Sequence, residues 1–334
     1  MNSVRAIVTG KTELGGTHRK KGLAPRTQIL ADVATELAKN LGMMIPPIRA
    51  WRLRRPRTVG ELEEITTEVM EEFAFAPFEM VTACLPAAEL RGATVVEIGP
   101  GDNVVLGLAL LALGAGEYHA IDRFLGDVRS PRAQKLYTTV ARVLPERMDV
   151  PASAVPEAGN FPKVLLGSKV FLHRRGIEEF RSVPLAGKAD LVFSYGVGQS
   201  VASAEAFAQA TAHFLKPGGS GVHAIQFGPM GPWTEYRNPL TFLTVPESVW
   251  KWTSSHRGGA NRLRYHEFLA LFEKAGLIVE TETLEEFTEE EHEEAWPHLD
   301  RRFSLAPRDS LRVRFAKFVC RKPGPESRRT GSPS

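Results

Sequence analysis

Cysteine is nearly absent: Cys84 and Cys320 are the two in 334 residues, far apart and outside any CxxC pair. That excludes a disulfide framework and a zinc ribbon, and it suits a reducing compartment, so a cytoplasmic protein is expected. Long apolar runs are missing too. The longest, residues 104–116, is 13 residues and contains Gly107 and Gly114, whereas a membrane span needs about 20. The first sixteen residues hold no apolar stretch of the kind a secretory leader carries, so no membrane partner is expected. Neither sign of charge dominates: the formal net charge is +3, too little to demand a polyanion. No period repeats. What remains is an average globular composition, 43% hydrophobic and 24% charged, which excludes a fibre or a wholly disordered chain. The length suits about two domains, or one large domain with an extension.

Apolar periodicity begins late. Residues 1–24, with the basic stretch His18 to Lys21, read as a flexible arm. Residues 25–90 read as a helical extension. Ile29, Leu30, Val33, Leu37 and Leu41 recur at three- and four-residue steps until Pro46 and Pro47, and a second stretch puts Leu62, Ile65 and Val69 on one face. A third apolar segment, 77–85, leads into the first strand. From there strands alternate with helices: strand 94–98, helix 104–113, strand 118–121, helix 131–144, strands 169–173 and 189–194, helix 204–215 and strand 221–227. This alternation specifies a doubly wound parallel α/β sheet. The end breaks it. A helix at 265–275 precedes strands 277–284 and 311–321, the natural pair for an antiparallel edge hairpin. Residues 323–334 read as a disordered tail.

Residues 95–103 read Val-Val-Glu-Ile-Gly-Pro-Gly-Asp-Asn. A buried strand thus ends in Gly99 and Gly101, and a helix follows. Glycines there let the backbone turn sharply and admit a ligand against the helix N-terminus. The second strand ends at Asp122, 21 residues after Gly101, where a carboxylate can accept both ribose hydroxyls. Together these features indicate a nucleoside-containing cofactor. The dinucleotide pattern G-x-G-x-x-G requires a third glycine where Val104 stands, which disfavours an NAD-dependent oxidoreductase.

The pattern instead resembles the class I S-adenosylmethionine (SAM) methyltransferase family, whose first motif is (D/E)-x-G-x-G-x-G. Glu97, Gly99 and Gly101 match, and Asn103 replaces the last glycine. Ala189 to Ser194 is similar to the family's fourth strand, and Leu215-Lys216-Pro217-Gly218-Gly219 to its turn before strand five. The resemblance covers residues 91–322. It implies a Rossmann-like seven-stranded sheet in the order 3-2-1-4-5-7-6 with an antiparallel last strand. It implies Glu97 at the SAM amino group, Gly99, Pro100 and Gly101 at the methionine part and Asp122 at the ribose, with Asn103 and Arg123 also binding the cofactor. Gly176 and Ile177 would lie near adenine, and Ser194, Tyr195 and Gly196 near the sulfonium. The Glu-His pair that many small-molecule members carry after strand four is replaced by Gln199 and Ser200. Glu97 to Asp102, Ile121 to Phe124, a His on strand five and Asn261 to Arg264 also resemble a subset found beside glycan-assembly enzymes. That makes an oxygen of a sugar or other secondary metabolite the expected acceptor.

The acceptor is expected in residues 228–264, an insertion between strand five and the next helix. Aromatics with arginines suit a polar, partly planar or anionic ligand, and Trp233, Tyr236, Arg262 and Arg264 are the candidates. The same aromatics equally suit ordinary core. Oxygen acceptors often need a base, and His223 at the end of strand five and His256 in the insertion are the candidates. No HxxxH and no paired carboxylates at ligand spacing stand near these sites, so no metal is expected. Arg49, Arg52, Arg54, Arg55 and Arg57 cluster around Trp51 and read as a solvated or ion-paired face. The alternative, RNA phosphate, would make this an RNA methyltransferase. A non-catalytic SAM-binding protein is a further alternative. The glutamates from Glu280 to Glu294 read as a solvated connection between the last two strands. The sequence leaves the oligomeric state open.

Overall fold

The computed structural model describes residues 23, 26–53, 65–85, 87–254 and 259–324. The arm at 1–22, Arg54, Arg55, Arg57, Leu62, His256 and the tail from 325 lie outside the described residues.

Seven strands form one sheet: β1 (Thr94–Ile98), β2 (Glu117–Ile121), β3 (Val170–His173), β4 (Ala189–Tyr195), β5 (Leu215–Gln226), β6 (Ile278–Glu286) and β7 (Val313–Arg321). Their order is β3-β2-β1-β4-β5-β7-β6. The first five run parallel, and β7 lies antiparallel between β5 and β6. The expected order and terminal hairpin are therefore present. Such parallel strands need covered faces, and their alternating side chains divide between two cores. Val95 joins the core beneath α6 (Val105–Ala112) and α7 (Pro131–Met148). Val96 and Ile98 join the core beneath α8 (Ala204–Phe214) and α10 (Tyr265–Lys274). Every residue of α6 is buried, as an apolar run without a polar face requires. Gly107 permits its approach to the sheet, because a Cβ there would stand 2.6 Å from the Tyr118 ring.

The helical extension divides its packing. Helix α1 (Arg26–Gly42) packs on α9 (Glu247–Ser254) of the insertion and contributes Val33 to a third core. A short α2 (Pro46–Leu53) follows. Helix α3 (Thr67–Met70) runs through a π-helical turn, Glu71–Phe75, into α4 (Ala76–Cys84). Phe75, Phe78 and Val81 enter the same core as α6, so this part of the extension covers the sheet itself. Helix α5 (Ala87–Leu90) leads into β1.

Three expectations are corrected. Helix α7 continues through Pro145 to Met148 and ends where Asp149 turns left-handed (φ 50°); near a C-terminus Pro removes one ladder bond without ending the helix. The acidic run is not a loop. Its first half is β6 itself, and its second half is α11 (Glu289–Ala295). Two short helices, α12 (Arg301–Ser304) and α13 (Arg308–Arg312), complete the connection, so β7 begins at Val313. No described helix is long and apolar enough to cross a membrane.

Candidate active site at the carboxyl ends of the strands

Ligands of open α/β sheets bind beyond the carboxyl ends of the strands. A cavity of about 560 Å³ lies there, reached by Gly99 after β1, Asp122 and Arg123 after β2, Gly176 and Ile177 after β3, and Gly196 after β4. The size suits a small organic ligand. Six of the twelve expected cofactor residues are thus brought to one cavity.

Its wall depends on a stapled glycine loop. Gly99 N–H donates to Ile121 O at 2.8 Å, and Gly101 N–H donates to Asp122 Oδ2 at 3.0 Å. Phe124 N–H donates to Asp122 Oδ1 at 2.6 Å. Asp122 therefore braces both turns. Gly99 adopts φ +78°, and a Cβ there would stand 2.5 Å from Val197; the approach of the two loops requires glycine. Arg123 and Glu178 pair at 3.1 Å across the ends of β2 and β3. A Cβ on Gly176 would meet both.

The remaining expected residues lie behind this surface. Glu97 is buried and accepts a hydrogen bond from the Tyr118 hydroxyl. Burial pushes its carboxyl up to about 8, against the lowering effect of that bond and with a smaller push from Asp122. Asn103 Oδ1 accepts from Val105 N–H at 3.2 Å, closing the turn into α6 where the family motif has glycine. Burial, then the nearby Glu72, pushes the Tyr195 hydroxyl up to about 12. Pro100, Tyr195 and Gly101 do not line the cavity.

His223 is corrected. It is fully buried, its Nδ1 lies 2.9 Å from Ser194 Oγ and its Nε2 3.1 Å from Thr211 Oγ1. Its ring stacks on Phe272 at 5.2 Å. Burial holds it down at about 3. It points into the core beneath α8 and α10, so it cannot reach an acceptor. Ser194, its partner, is equally buried and does not face the cavity. His256 lies outside the described residues.

The four acceptor candidates are corrected too. Trp233 and Tyr236 are core side chains with Trp250, Phe242 and Leu243, and the Tyr236 hydroxyl donates to Asp32 of α1. Arg262, at φ 58°, is 1% exposed. Its Nη1 donates to Phe242 O at 3.0 Å and Val245 O at 2.7 Å, its Nη2 to Glu247 at 2.5 Å, and its guanidinium lies 4.5 Å over Trp250. Arg264 donates to Phe227 O at 2.7 Å and Arg262 O at 3.1 Å. Asn261 Nδ2 donates to Gly198 O at 2.8 Å and its N–H to Gln199 O at 2.8 Å. The Asn-Arg-Leu-Arg stretch is thus a clasp that ties the insertion to the loop after β4.

Composition missed the wall opposite the glycine loop. Glu247, Trp250, Lys251 and Asn261 line it. The amphipathic spacing of α9 was available in the sequence, but its position over the strand ends was not. Glu247 is held by Arg262 and, at 3.1 Å, by Arg302. Among the described residues, Glu289, His292 and Glu293 bring metal-ligand types together. They lie in α11, outside the cavity, and Arg308 and Arg312 pair with the carboxylates.

No family model matches the chain, and no curated protein matches it. Solved structures are similar to it at low identity. It is similar to a phosphoethanolamine N-methyltransferase 2 from Haemonchus contortus in complex with SAM (14% identity, 75% of this chain and 53% of that one, TM-score 0.42). It is similar to a SAM-dependent methyltransferase from Mesorhizobium loti (16%, 74% and 98%, 0.39) and an O-methyltransferase family protein from Burkholderia thailandensis (12%, 77% and 58%, 0.39). The seven-stranded order with β7 inserted antiparallel is the class I methyltransferase fold.

Proposed function

We propose that the chain transfers a methyl group from SAM to a small-molecule acceptor, an oxygen of a sugar or other secondary metabolite. The observation that carries this reading is one cavity shared by Gly99, Asp122, Gly176 and Gly196, the four turns after β1 to β4. The residues fit the cofactor. Gly99 and Gly176 reach the cavity without a side chain of their own, Asp122 brings a carboxylate to it at the end of β2, and Arg123 and Glu178 border the adenine side. SAM would supply a sulfonium-bound methyl group. The acceptor oxygen would take that methyl group, the electron pair of the broken carbon–sulfur bond would stay on sulfur to leave S-adenosylhomocysteine, and the acceptor proton would pass to solvent.

The chain's own part is alignment, the main requirement of such a displacement. Glu247, held in place by Arg262 and Arg302, is an anchor for an acceptor hydroxyl. Trp250 and Asn261 beside it give a partly apolar, partly hydrogen-bonding wall suited to a hydroxylated molecule.

Thermal denaturation with SAM, S-adenosylhomocysteine and NADH tests the cofactor. A ligand at 100 times its Kd stabilises by about 2.7 kcal/mol. A shift with the adenosyl ligands alone is expected, and a shift with NADH alone would overturn the reading. Turnover of hydroxylated acceptors distinguishes an enzyme from a SAM-binding scaffold. By calorimetry, Asp122→Ala is expected to weaken S-adenosylhomocysteine binding by about 1–3 kcal/mol. Gly99→Ala is expected to abolish it by pressing on Val197 while the protein stays folded.

A further inference from the structure

Eleven large apolar side chains of the described residues are exposed, and six of them gather in one region: Leu41, Met44, Ile45, Ile48, Trp51 and Trp252. Leu41 ends α1. Met44 and Ile45 form the turn into α2, and Ile48 and Trp51 stand three apart on one face of that helix. Trp252 stands beside them through Asn40, whose Nδ2 donates to Trp252 O at 2.8 Å. Their exposures run from 43% for Ile48 to 65% for Trp252.

Helix α2 is eight residues long, and Pro46 to Trp51 are all exposed. Isolated helices shorter than about 12 residues are marginal in water. Ile48 and Trp51 on it are 43% and 54% exposed, an apolar face that a further surface can cover. The charge identifies that surface. Between Glu36 and Glu61 the sequence holds six Lys and Arg residues and no Asp or Glu, with Arg49 and Arg52 in α2 itself.

We propose that α2 and the turn before it lie on an anionic phospholipid bilayer. Tryptophan, isoleucine and methionine would enter the headgroup boundary while arginines meet lipid phosphates, the arrangement of an interfacial amphipathic helix. No spanning helix is needed, so the missing apolar run does not oppose this. A second copy of the chain would bring two such positive segments together, and RNA would leave the apolar side chains exposed. The surface is one helix from the cavity wall, through Asn40 and α9, yet the proposal does not depend on the cofactor reading.

The test is co-sedimentation of the full chain with phosphatidylcholine vesicles containing about one third phosphatidylserine, alongside pure phosphatidylcholine vesicles. Binding to the anionic vesicles that falls steeply with salt is expected. Ile48→Asp with Trp51→Asp should reduce it about tenfold or more, and Arg49→Glu with Arg52→Glu should reduce it and flatten the salt dependence. Ile48, Arg49 and Trp51 are exposed, and unchanged far-ultraviolet dichroism and melting temperature check the fold of both variants. Failure to bind anionic vesicles would overturn the proposal. So would a wild-type dimer that Ile48→Asp dissociates, or RNA binding that survives both apolar substitutions.

Discussion

Two buried groups set opposite pH dependences at the residue scale. His223 is held at about 3 by burial, from an ordinary value of 6.5. The folded chain therefore binds fewer protons than the unfolded one between those values, and stability falls as pH drops from 6.5 toward 3. Glu97 is raised by burial to about 8 from 4.5. There the folded chain binds more protons, and stability falls as pH rises from 4.5 to 8. The two contributions oppose one another between 4.5 and 6.5 and leave a plateau there. Urea denaturation across pH should show decline on both sides. Glu97→Gln keeps an acceptor for the Tyr118 hydroxyl and should remove the alkaline decline; persistence of that decline would assign it elsewhere. Gly99, Asp122 and Glu97 were legible because their chemistry is local to one strand and its turn. The engagement of His223 was not, since Ser194, Thr211 and Phe272 come from three other elements.

At the scale of elements, the insertion is held by buried arginines. Burial lowers Arg262 to about 10 and Arg264 to about 9, partly offset for Arg262 by Glu247. Removing one partner of a buried charged network leaves the others unpaired. Arg262→Ala would strand two carbonyls and Glu247, and an equilibrium cost of about 3–5 kcal/mol is expected in urea. A cost below about 1 kcal/mol would show that the clasp is not needed. An Arg flanked by aromatics reads the same in sequence whether it binds a ligand or a carbonyl, because burial depends on where the chain folds. The helices and strands themselves were mostly legible. The boundary errors fell where polar residues took regular structure, as in β6.

For the whole molecule, β6 is the exposed edge of the sheet, and unpaired edges invite association. Its glutamates answer this. Glu282 pairs with Lys317 and, at 2.8 Å, Glu285 with Arg314, while Ile278 is 56% exposed. Glu280→Val with Glu282→Val should therefore drive self-association, visible as a concentration-dependent mass in light scattering. A variant whose mass stays that of the wild type would show that the edge is protected by shape alone. The acidic run that reads as a solvated connection is, in this view, a device against pairing.

Periodicity and the glycine turn determined the alternating sheet, its terminal hairpin and the strand end where a nucleoside would bind, because those signals act within a few residues. Tertiary structure alone decided which arginines and aromatics became core, that His223 faces away from the cavity, and that Glu247 and Asn261 face it. The physical reason is contact between distant segments. Burial and desolvation depend on neighbours brought together by folding, and a residue's type leaves that choice open.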